Sequence, residues 1–189
     1  MARPRTCPEI RLVAASTTAE GVVVVHRDIS APMTSEQWAR AAVELALDVG
    51  ASEIAVEGFA ARETYTRVVS DALRRYRTAR PIRVASWPPR GSGRGGGDAQ
   101  ARSAALLQGL EVGTCRIAGH LPALEQAAVQ WNAGQHQPDS LAALVVSHDV
   151  LVHAAGQRMT FGSPLAAERK FGEGGAVTGM SEFLRRRLG

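Results

Sequence analysis

Glu53-Ile54-Ala55-Val56-Glu57 is a short apolar run closed at both ends by a carboxylate. Five residues without internal polarity suit a β-strand covered on both faces, as strands of parallel sheets are. Its flanks read as helices. Upstream, Thr34-Ser35-Glu36-Gln37 is a capping box, in which the threonine caps and the glutamine reaches back. A helix follows to about Val49, with Trp38, Ala41, Ala42, Leu45 and Val49 on one face and Gly50 as its stop. Downstream, Tyr65, Val68, Val69, Leu73 and Tyr76 repeat at helical spacing and predict a helix from Arg62 to about Arg77.

The same reading extends to both sides. Glu9–Ala15 and Gly21–Asp28 (GVVVVHRD) predict two strands joined by a turn over Ser16–Gly21, which implies an antiparallel hairpin. After Pro81, Ile82–Ser86 predicts a strand, Pro88–Gly97 a mobile loop, and Asp98 the cap of a helix to about Leu110. Thr114–Ala118 predicts a strand, Pro122 starts a helix ending near Trp131, and Asp139 or Ser140 opens another to about His153. Beyond Ala154 only Met180–Leu188 has helical character. The order β-β-α-β-α-β-α-β-α-α predicts an α/β fold: one mixed sheet flanked by helices, with Glu53–Glu57 central. The expected organisation is a domain over 9–155 and a basic, flexible tail over 156–189.

Composition narrows the chemistry. The chain has 189 residues, enough for one domain with a real core. Its two cysteines, Cys7 and Cys115, cannot build a disulfide framework or an all-cysteine zinc site. No apolar run is long enough to span a membrane, and no hydrophobic leader follows Met1, so a cytoplasmic protein is expected. Lys170 is the sole lysine and lies outside any GxxxxGK[ST] pattern, which excludes a P-loop ATPase. Residues 74–102 hold eight arginines against the single Asp98, while the whole chain carries only +4. Such a belt on a milder body points to polyanion contact, with a plain solvated surface as the alternative.

The candidate site residues follow from position. Glu57 ends its strand at the carboxyl edge, where sites gather in α/β sheets, and a carboxylate there can ligate a hard cation. Asp139 reads as a helix cap. Asp149 and His153, four apart on one helix face, could share a metal or form a surface pair. Gly91-Ser92-Gly93-Arg94-Gly95-Gly96 matches GxGxxG, but Trp87–Arg90 intervene after the strand, so a flexible loop is the better reading than a dinucleotide turn. Arg90 and Arg94 in that loop, with Arg102 beyond it, could lie against phosphates. No serine or cysteine has a nucleophile signature.

Read in order, several pieces resemble the C-terminal nuclease half of the large subunit of tailed-phage terminases. Arg102, Gly113, Gly119, Pro122, Leu124, Glu125 and Trp131 follow the family's spacing, and Gln137–Val145 (QPDSLAALV) stands in for its last motif. Asp28-Ile29-Ser30 with Trp38-Ala39, and Ile54-Ala55-Val56-Glu57, are similar to upstream motifs of the family. The resemblance spans roughly 9–155. It implies an RNase H-like fold, a metal-dependent DNA nuclease used in genome packaging, and Mg²⁺ or Mn²⁺ as cofactor. It further implies DNA, the packaging motor subunit and the portal as partners, a prophage or phage origin, and work in the bacterial cytoplasm.

The departures from the family pattern shape the expected activity. The family's third catalytic aspartate falls at Ala142, its lysine at Ala99, and its N-x-G-G stretch at Phe59–Arg62. No aspartate precedes Asp28, so the family's opening strand is expected to be missing. Glu57 is then the retained catalytic and metal-binding acid, with Asp28 and Asp149 as secondary metal candidates. The expectation is a truncated or catalytically impaired nuclease; the alternatives are a non-catalytic module that binds nucleic acid or a packaging partner, and a nucleotide-binding protein using the glycine loop. A surviving site would also place Ala142 within about 10 Å of the Glu57 strand end.

Overall fold

The computed structural model describes residues 9–59, 61–132 and 134–158. The chain divides into two units, Met1–Ala155 and Gly156–Gly189. The expected tail and its Met180–Leu188 helix lie outside the described residues.

Two strands open the fold, β1 (Glu9–Thr17) and β2 (Val23–Pro32), paired antiparallel. The turn between them closes with Thr18 N–H on Val22 O and Gly21 N–H on Thr18 O. Gly21 takes φ +84°, a left-handed value that a side chain resists. Between Ala14 and Ala15 the register slips, Ala14 facing Arg27 and Ala15 facing Val25. The extra residue is His26, and this bulge lets His26 and Arg27 both face solvent while Val23 and Val25 stay buried. His26 Nε2 and Ser16 Oγ hydrogen-bond across the hairpin at 2.7 Å.

Helix α1 (Ser35–Asp48) carries the expected capping box. Thr34 N–H donates to Gln37 Oε1 at 2.8 Å and Gln37 N–H to Thr34 Oγ1 at 3.4 Å. Its buried stripe is wider than the periodicity predicts: Ala39, Val43 and Ala46 join Trp38, Ala42 and Leu45, while Val49 is exposed. Strand β3 (Glu53–Glu57) and helix α2 (Arg62–Leu73) follow. The helix stops a turn before Arg77, where Arg74 and Tyr76 amides bond back to Ser70 and Leu73 carbonyls. Strand β4 (Arg83–Trp87) lies one residue later than expected. Helix α3 (Ala99–Val112) begins at Asp98, whose side chain accepts the Ala101 amide at 2.8 Å. Strand β5 (Cys115–Ile117), helix α4 (Pro122–Gln130) and helix α5 (Asp139–Arg158) complete the described order.

The chain is thus α/β with mixed pairing, but its strands form two sheets, not the expected one. The first has the order β1-β2-β5, with β2 and β5 parallel from Val23 opposite Cys115. The second is β3-β4, parallel, with Glu57 opposite Trp87. Strand β3 is therefore not central, because β4 is its sole partner among the described residues. The apolar character of EIAVE has a different source. Two core clusters sandwich both sheets. One joins Val23, Val25, Trp87, Leu106, Leu124, Leu141 and Leu144, with Val13, Ala15 and Ala55 against it. The other joins Trp38, Val43, Val56 and Val69, with Ile10, Ile54 and Val84 against it. Side chains of β3 thus reach both clusters although one backbone edge lacks a strand partner. No described helix is long and apolar enough to cross a membrane.

Candidate nucleic-acid interface

The parallel register of β3 and β4 brings Glu57 beside Trp87, and Gly58 N–H continues the ladder onto Trp87 O at 2.8 Å. Glu57 reaches solvent, yet the protein around it withdraws enough water to raise its carboxyl above the usual value. Two charges modify that shift. The Arg102 guanidinium, on α3, opposes it, and Asp139, in the first turn of α5, adds to it. Glu57, Arg102 and Asp139 therefore share one electrostatic field at the carboxyl end of β3. Asp139, read from the sequence as a cap alone, is the second acid of that field. It stands three residues, one helical turn, before Ala142, the position that the family pattern assigns to an acid.

The secondary candidates lie in other company. Asp28 is on β2, opposite Val13; burial raises its carboxyl, Arg11 opposes the shift, and Oδ1 is buried without a hydrogen-bond partner. Asp149 is engaged on three sides. Its Oδ2 accepts Trp87 Nε1–H and Arg94 Nη2–H, each at 2.6 Å, and Oδ1 lies 3.3 Å from His153 Nδ1. His153 Nδ1 also bonds the Asp149 carbonyl at 2.8 Å, so the pair resembles a helix-surface contact more than a ligand set. Asp149 thus ties the glycine loop to α5.

The three arginines differ in availability. Arg90 pairs with Glu63 at 2.7 Å, and both side chains are mostly in solvent. Arg94 is about four-fifths enclosed and bound to Asp149. Arg102 donates to Gly97 O at 3.0 Å and stands 5.2 Å over the Phe59 ring. Two contributors escaped the sequence reading. Arg62 Nη1 donates to Ser86 Oγ at 2.8 Å and Pro88 O at 2.7 Å, pinning the start of α2 to the end of β4. Phe59 packs edge-on to Trp87, ring centroids 5.6 Å apart. Both belong to the Phe59–Arg62 stretch, which by pattern registered only as a departure. An open polar cleft of about 390 Å³ lies here, lined by Gly58, Phe59, Arg62, Glu63, Thr64 and Arg90 among others.

The divalent cations implied by the resemblance need several converging carboxylates. Here Glu57 has one acidic neighbour, Asp139, and a guanidinium in the same field, so the residues present do not fit a two-metal centre. Among the described residues no three His, Cys, Asp or Glu side chains cluster as metal ligands. Comparison of the chain with family models, with curated proteins and with solved structures finds no match.

Proposed function

We propose that this chain is a nucleic-acid-binding α/β module related to the terminase nuclease domain, in which cleavage is weak or lost and binding remains. The observation that carries the reading is the mixed field around Glu57, where an acid pair shares its surroundings with Arg102. Two metal ions need several converging carboxylates, whereas Glu57 has one acidic neighbour, Asp139, with a guanidinium in the same surroundings. Asp149, the other acid near the β4 end, is neutralised by Arg94. The polar cleft beside Arg90, whose exposed pair with Glu63 is weak, favours contact with phosphates. An RNase H-like core, DNA as ligand, and packaging components as partners belong to this proposal. The edge position of β3 is a departure from that core.

The test pairs binding with cleavage. Purified chain is incubated with plasmid DNA and Mg²⁺ or Mn²⁺, and binding is followed separately with labelled duplex. The expected outcome is salt-sensitive, sequence-independent binding with little or no nicking. Robust cleavage abolished by Glu57→Gln would show an active nuclease and overturn the impaired assignment. Binding unaffected by salt between about 50 and 200 mM would overturn the phosphate-contact reading.

A further inference from the structure

Phe59 is held out of the core. The residue is 51% exposed, whereas Trp87, against which it packs, is 3% exposed. An exposed phenylalanine on a free surface would turn among rotamers, but this one is braced on three sides. Trp87 meets it at an interplanar angle of 85°. The Arg102 guanidinium lies 5.2 Å from the ring centroid, a cation–π distance. The glycine loop approaches closely: a Cβ added at Gly95 would lie 3.3 Å from Phe59 Cζ. The ring also lines the 390 Å³ cleft with Arg62 and Arg90.

From this arrangement we infer that Phe59 is a stacking platform for an unpaired nucleobase, with the phosphate of the same strand taken by Arg90. The inference rests on the nucleic-acid-binding reading above and specifies its ligand as single-stranded. A base in a duplex is covered on both faces by its neighbours, whereas an unpaired base has a π-face to offer an aromatic ring. Aromatic stacking tolerates any base, because every base has a π-face. The bracing of the ring lowers the ordering cost on binding. The exposed Arg90–Glu63 pair exchanges readily for a phosphate, since ion pairs in water are weak.

The experiment measures anisotropy of labelled oligo-dT, of the same strand with abasic sites, and of a duplex of equal length, each titrated with the full chain. Wild type is expected to bind oligo-dT about tenfold more tightly than the abasic strand. Phe59→Leu, which keeps apolar bulk without a ring, is expected to erase that difference. Phe59→Trp is expected to restore it. Equal wild-type affinity for oligo-dT and the abasic strand overturns the platform, whether or not the leucine variant folds, and leaves the nucleic-acid reading standing. Absence of binding to all three probes overturns both. Association of the chain with itself through Phe59, lost in Phe59→Leu without any effect on oligo-dT, would mark a protein interface instead and overturn the platform alone.

Discussion

Glu57 and Arg94 show how far single residues depart from what their sequence positions suggest. Glu57 has a carboxyl raised by burial, so its folded-state value lies above its unfolded one. The stability attached to it is then complete below pH about 4.5 and is lost as pH rises through the folded value. Glu57→Gln is accordingly expected to raise the melting temperature at pH 7 by about 1–2 °C, a figure kept small because solvent reaches the group. No gain is expected at pH 4, and thermal melts at the two pH values check the difference. Arg94 looks in the sequence like a free loop cation, yet it neutralises Asp149 in a mostly enclosed pair. Asp149→Ala should cost about 2 kcal/mol in urea denaturation, because it strands the guanidinium and frees Trp87 Nε1. Arg90→Ala should leave stability nearly unchanged and flatten the salt dependence of DNA binding by about one phosphate contact. The difference between these two arginines was not legible in GSGRGGG, because it depends on an aspartate more than fifty residues away.

At the scale of elements, local signals were strong wherever the physics is local. The Thr34–Gln37 box, the Asp98 cap and the stop at Gly50 are all present, because each needs only neighbouring side chains and backbone. Thr34→Ala should cost about 1 kcal/mol, read as a shift in the urea midpoint. The end of α2 and the one-residue offset of β4 were less legible, since packing rather than composition sets them. Gly109, inside α3, gave no signal at all, yet it is the place where helix and core approach. A Cβ there would stand 3.1 Å from His148 Nε2 and 3.3 Å from Cys115 Cβ. Gly109→Ala should therefore destabilise by about 1–3 kcal/mol despite its better helix propensity. A gain in stability would show that His148 moves aside without cost. The Glu57–Asp139 proximity was half legible: the strand-end acid stands out in EIAVE, but its partner needs the fold to bring α5 alongside.

For the whole molecule, the division of the strands into β1-β2-β5 and β3-β4 is the largest departure from the sequence reading. Periodicity identifies strands but carries no record of which edges meet, and β2 uses its second edge on the short β5 rather than leaving it open. A single sheet has two lateral edges; two sheets have four, and among the described residues none of the four has a further strand on it. A sheet edge left bare is a row of amides and carbonyls that water must satisfy, and it is also a template on which another chain can grow. Arginine is the basic residue available to guard them, since the one lysine of the chain is Lys170. The molecule is therefore expected to be limited in solution by aggregation rather than by unfolding. On slow heating, light scattering and β-rich infrared absorption should rise with protein concentration, several degrees below the melting point that dilute samples show.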